Sequence, residues 1–177
     1  MSTDEITSST RLGFIGLGYL GSRIARRLIA AGFPVTVYDR NQAKAAQFSA
    51  VGAKVMADLA KLAGHVDVVL SCLRDDAAVE DVFFGTSKVL GAARRITTII
   101  ELSTIAPATA KRLHGAGAEL GISVLDVAIS GSTVAAESAT LHCSEAATLK
   151  SSKWPNRSFA PSRHSGSIWA HAVPARP

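Results

Sequence analysis

Three glycines, Gly16, Gly18 and Gly21, stand in the run GFIGLGYLG at the spacing G-x-G-x-x-G. Each has a physical use where a chain turns from strand into helix around an anion. Gly16 permits the tight turn, Gly18 lets the backbone approach a pyrophosphate with no Cβ between, and Gly21 lets the helix pack close to the strand. Leu17, Tyr19 and Leu20 fill the intervening positions. The main-chain N–H groups of this run and the positive end of the helix dipole can then meet the negative charge. Asp39 lies about 20 residues further on, where a carboxylate accepts hydrogen bonds from adenosine ribose hydroxyls and repels a 2′-phosphate. Arg40 follows, with a guanidinium that can pair with a 2′-phosphate or stack on adenine, and Asn41 can add a hydrogen bond. The three pull toward both forms of the dinucleotide, with a slight lean to NADH. The expected cofactor is NAD(P).

A glycine loop of this kind needs a strand before it and a helix after it. RLGFIG (11–16) is a short apolar run ending in Gly, which reads as a buried strand. In YLGSRIARRLIAAG (19–32), Leu20, Ile24, Leu28 and Ile29 recur at helical spacing, and Gly32 supplies the stop. The β-branched and aromatic run FPVTVYD (33–39) predicts a second strand, and NQAKAAQFSAVG (41–52) a helix ending in Gly. Further strands are expected at 53–56, 66–73, 96–103 and 122–129. Further helices are expected at 58–64, with Asp58 as N-cap, at 75–85, opened by two acids, and at 107–121, with Pro107 in its first turn. Strands alternating with helices mean an α/β chain: a Rossmann-type, doubly wound, mostly parallel sheet covered on both faces.

Composition bounds what else the chain can be. The 177 residues are 47% apolar, enough for one packed domain. The net charge of +5 and a pI near 9.6 invite a nucleic-acid partner. The distribution argues against one: residues 1–142 hold 14 Lys/Arg against 13 Asp/Glu, and residues 143–177 hold five against one. The basicity belongs to a tail with no recognisable nucleic-acid motif. The organisation expected is a flexible leader over 1–10, a dinucleotide-binding domain over 11–142 and an irregular basic tail over 143–177. Cys72 and Cys143 do not make a disulfide framework, and Cys72 reads as a small buried residue. The polar, acidic start has no signal-peptide character, and no apolar stretch reaches a membrane span. The default is a soluble, reducing, cytoplasmic protein. No histidine has the partners of a metal site, so no metal is assigned.

The runs GFIGLGYLG, VYDRN, SCLRDD, ELSTIAP and LDVAISGSTVAAESATL, in this order between residues 11 and about 142, resemble the β-hydroxyacid dehydrogenases. That family includes 3-hydroxyisobutyrate dehydrogenase, tartronate semialdehyde reductase and, more distantly, 6-phosphogluconate dehydrogenase. The resemblance implies roles residue by residue. CLRDD matches a run that lies against the cofactor, with Leu73 in place and Arg74 where proline is usual. ELSTIAP matches a run near the nicotinamide ribose, with Ser103 and Thr104 in place and Glu101 for an Asp. DVAISGS matches a substrate-binding loop in which Ser130, Gly131 and Ser132 would hold the substrate carboxylate. There Ala128 replaces proline and Ser132 replaces a second glycine, adding a Cβ where room is needed.

Hydride transfer between nicotinamide and a carbinol carbon also needs a group that exchanges a proton with the substrate oxygen. In the family resembled, a lysine on a helix of a second, all-helical domain serves, within a G-x-G-x-x-x-K-x-x-N run. That run is absent from these residues, and Lys150 and Lys153 lie in a tail whose only glycine is Gly166. No catalytic lysine is therefore assigned. The chain reads as a truncated member lacking the helical domain, expected to bind NAD(P) and to turn over a small β-hydroxy acid or semialdehyde poorly by itself. A frameshift near residue 142 would account for the tail. Two alternatives stay open: a non-catalytic dinucleotide-binding module with a basic interaction tail, and an enzyme completed in trans. The apolar surface that a helical domain normally covers would also suit a homo-oligomer.

Overall fold

The computed structural model of the chain describes residues 6–85, 88–130 and 142–145, with only strand placement for 128–130 and 142–145. The strands are β1 (Leu12–Ile15), β2 (Val35–Tyr38), β3 (Lys54–Val55), β4 (Val68–Ser71), β5 (Thr98–Glu101), β6 (Ser123–Ser130) and β7 (His142–Glu145). The helices are α1 (Tyr19–Ala30), α2 (Gln42–Ala46), α3 (Leu59–Ala63), α4 (Asp76–Phe83), α5 (Val89–Ala92) and α6 (Pro107–Glu119). The sheet order is β3-β2-β1-β4-β5-β6-β7. β1 to β6 pair in parallel throughout, and β7 pairs antiparallel with β6. This is the doubly wound Rossmann arrangement, in which the chain reverses direction across the sheet between β1 and β4.

Local chemistry explains the elements. α1 buries Gly21, Ile24, Ala25 and Leu28 on one face and leaves its arginines outside. Asp58 caps α3 by accepting the Lys61 N–H at 2.9 Å, and Asp75 caps α4 by accepting that of Ala78 at 2.8 Å. Pro107 opens α6, where its missing N–H costs nothing.

The short strands are buried on both faces. On one, Phe14, Val37, Leu70 and Ile24 share a cluster. On the other, Ile15, Val69, Ile99, Phe83 and Leu113 do. Each such side chain contributes roughly 1.5–3 kcal/mol when fully buried, so the two layers hold the strand ends firmly in register.

Three local readings differ from expectation. The helix expected over 41–52 divides into α2 and a 3-10 turn at Ser49–Val51 that ends at Gly52, where φ is +93°. The four-residue α5 had no periodic signal. β7 straddles the expected start of the tail. It gives the N–H and C=O groups along β6 a partner where the parallel sheet would otherwise end. Within the leader, the Thr7 N–H donates to Thr10 Oγ1 at 2.9 Å and closes a turn. Among the described residues, no helix is long and apolar enough to cross a membrane.

Candidate functional site

The site lies at the carboxyl ends of β1, β2, β4 and β5, over the point where the sheet order reverses. The glycine loop joins β1 to α1. Gly16 has φ +95°, and a Cβ on it would overlap the Cys72 carbonyl and stand 3.0 Å from Leu73 Cδ2. A Cβ on Gly21 would overlap the Gly16 carbonyl oxygen and stand 3.2 Å from the Phe14 ring. These two glycines therefore allow the loop and helix to sit against β1 and the β4 loop. Gly18 differs: a Cβ there would meet nothing within 4 Å. Its place is open space at the N-terminus of α1, a helix with no side-chain cap and no acid in its first turn. Such an end leaves N–H groups and dipole free for an anion. Tyr19 is 71% exposed at this rim, with the Arg23 guanidinium 4.0 Å from its ring centroid. Leu17 is buried in the core and Leu20 packs against it.

Asp39 stands at the end of β2, and its carboxylate joins two backbone segments. Oδ2 accepts the Leu17 N–H at 2.7 Å, and Oδ1 accepts the Asn41 N–H at 2.7 Å. Asn41 in turn caps α2, accepting the N–H groups of Ala43 and Lys44 at 3.1 and 3.4 Å. Arg40 is exposed and close enough to Asp75 to help hold that carboxyl below its usual range. The larger causes are the hydrogen bond from Arg74, whose Nε lies 2.8 Å from Asp75 Oδ2, and the Ala78 N–H. Arg74 is 79% exposed. Arg74, beside Asp75 in the loop after β4, and Arg40, after the end of β2, both favour the Asp75 carboxylate, Arg74 by far the more.

On the other side, Ser103 Oγ accepts the Leu73 N–H at 2.7 Å, and the Ser103 N–H donates to Glu101 Oε1 at 2.8 Å. Glu101 Oε2 accepts the Ser71 hydroxyl at 2.6 Å. Glu101 is 1% exposed, and burial pushes its carboxyl above the usual range; the bonds from Ser103 and Ser71 oppose that push, and Asp126 adds to it. Asp126, its register partner on β6, is also raised, chiefly by burial, with His114 opposing. Thr104 is exposed on the same loop. The Cys72 thiol is pushed up to about 11, mainly by burial, with Glu101 adding to the push, which favours its neutral form.

Every described site residue expected from the sequence therefore falls on this one end of the sheet. Of the proposed substrate loop, one residue is described. Ser130 is the last residue of β6, opposite His142, while Gly131 and Ser132 lie outside the described residues. Two residues in the network, Ser71 and Glu101, had no role assigned from sequence alone. The available signal was Glu101 itself, a carboxylate inside an apolar strand run that must find partners when buried. Among the described residues, no group of three metal-ligating side chains converges.

Comparison with known proteins agrees with this geometry. The model of the NAD binding domain of 6-phosphogluconate dehydrogenase matches residues 11–154, past the last of the sequence motifs. The NAD-dependent L-serine dehydrogenase of Pseudomonas aeruginosa is 34% identical over 131 residues, covering 74% of this chain and 44% of that protein. The structure of Mycobacterium tuberculosis 3-hydroxyisobutyrate dehydrogenase with L-serine matches with a TM-score of 0.72 at 29% identity, over 80% of this chain and 47% of that one. Psf3 in complex with NADP+ matches with a TM-score of 0.69 at 34% identity, over 75% of this chain and 47% of that one. The chain spans under half the length of the curated relatives it matches. With the glycine loop, the reversed sheet order and the family match in agreement, the chain belongs to the NAD(P)-binding domains of the 6-phosphogluconate dehydrogenase type, as carried by the β-hydroxyacid dehydrogenases.

Proposed function

We propose that residues 16–21 and Asp39 hold the pyrophosphate and adenosine ribose of NAD(P), in an oxidoreductase that moves hydride between nicotinamide and a small β-hydroxy acid or its semialdehyde. The observation that carries this reading is the open space at Gly18 above the uncapped end of α1, where a pyrophosphate would find unpaired N–H groups. Asp39 keeps lone pairs for ribose hydroxyls while tying the loop to β2. Arg40 and Asn41 stand where a 2′-substituent would lie, and Leu73, Arg74, Ser103 and Thr104 flank the other half of the dinucleotide. The bound cofactor supplies the hydride chemistry. The residues of this chain bind it, orient it and shield one side of it from water. Ser130, Gly131 and Ser132 are proposed to take the substrate carboxylate.

No G-x-x-x-K-x-x-N run is present in the 177 residues, so the proton-exchanging lysine is unassigned and turnover by this chain alone is expected to be low. Isothermal titration with NADH and NADPH, beside a turnover assay on short hydroxy acids, tests the proposal. Saturable binding with little turnover is the expected result. Failure of both dinucleotides to bind would remove the reading, and brisk turnover would overturn the expectation of low activity.

A further inference from the structure

We propose that Glu101 is a positioning residue that locks the loops after β4 and β5 into one wall of the dinucleotide site, on the nicotinamide side. This rests on the dinucleotide reading above. In a sheet whose order reverses between β1 and β4, the adenosine half lies toward β2 and the second half toward β4 and β5. The hydrogen bonds through Glu101 run across that second side. Ser71 closes β4 and donates its hydroxyl to Oε2 at 2.6 Å. The Ser103 N–H donates to Oε1 at 2.8 Å, and Ser103 Oγ accepts the Leu73 N–H at 2.7 Å. The connection therefore leaves the end of β4, passes through the β5 carboxylate and returns to the loop after β4.

Three features mark the carboxylate as a fastener. At 1% exposed it is too deep to touch a ligand. Both of its oxygens are engaged by loop or strand-end groups of the site. A well-packed apolar residue would avoid the cost of burying a charge, so what the carboxylate adds is geometry. It fixes the Ser103 backbone and, through Ser103, the Leu73 backbone.

The test compares NADH with ADP, which lacks the nicotinamide and its ribose, on the full chain by calorimetric titration, with thermal melts to establish folding. Glu101→Leu removes both acceptors. It is expected to weaken NADH about tenfold or more while leaving ADP within about twofold. Ser71→Ala loosens one tie and is expected to show the same selectivity at about threefold. Glu101→Gln keeps an acceptor for the Ser103 N–H and turns a donor toward Ser71 Oγ, so NADH affinity should return to within about threefold of wild type. Unchanged NADH affinity in Glu101→Leu would overturn the proposal, as would an equal loss for both ligands. If that variant does not fold, unchanged NADH affinity in Ser71→Ala overturns it. Wild type that binds neither ligand would instead overturn the dinucleotide reading itself.

Discussion

The carboxylate of Asp39 accepts the backbone N–H of Leu17 at 2.7 Å, joining the end of β2 to the middle of the glycine loop. The residue read from sequence as a ribose ligand thus also builds the loop. Asp39→Ala should release the loop as well as remove the group proposed to bind ribose. NADH and ADP-ribose should both weaken by about tenfold or more, because each depends on the loop. Titration of both ligands checks this, and a loss confined to one of them would contradict it.

The three glycines should separate on substitution. Gly16→Ala and Gly21→Ala force a Cβ into backbone carbonyl oxygens, and Gly16 also has positive φ. Each should cost about 1–3 kcal/mol and lower Tm by several degrees. Gly18→Ala meets open space and an extended backbone, so Tm should change by less than about 0.5 kcal/mol allows. Its NADH affinity should nevertheless fall, because the methyl group fills the approach to the pyrophosphate. Melting curves and titrations on the three variants make the comparison.

Burial raises the Glu101 carboxyl, so the folded state holds that proton more tightly than the unfolded chain does. Stability from this group is greatest below the ordinary carboxyl range and declines as pH rises toward the raised value. Glu101→Gln carries no charge to bury. Its Tm relative to wild type should therefore climb between about pH 4 and neutrality. A difference that stays flat across a pH series of melts would contradict the assignment.

Asp67 behaves in the opposite sense at the far end of the sheet. Its carboxylate receives the Arg11 guanidinium, with Nε at 2.9 Å, and this bond holds its carboxyl below the usual range, with the burial cost opposing. Stability from a lowered carboxyl is present above the unfolded value and lost as pH falls through the folded one. Asp67→Asn should therefore melt below wild type at pH 7, and the gap should close as pH drops below about 4. Melts at the two pH values test it.

Much of this site could be read from residue order alone. The glycine spacing, the acid about 20 residues on and the alternation of strand and helix patterns specify a Rossmann unit, because turn sterics and hydrophobic period are local properties. Asp58, Asp75 and Pro107 announced helix starts for the same reason. The tail boundary was less clear, since β7 is four residues long and its strand state comes from pairing with β6. The split of the helix over 41–52 was hidden too, because its apolar spacing continues through the 3-10 turn.

By itself the sequence determined the fold class, the place of the glycine loop and the identity of the acid at the end of β2. Those depend on contacts among near neighbours and on backbone sterics. Only the tertiary structure decided that Asp39 is bonded to Leu17, that Gly18 alone of the three glycines faces open space, and that Glu101 ties Ser71 to Ser103. Each of these joins residues from separate strands or loops. Such contacts exist only after the parallel sheet has set the strand ends side by side, and nothing in the local spacing encodes that register.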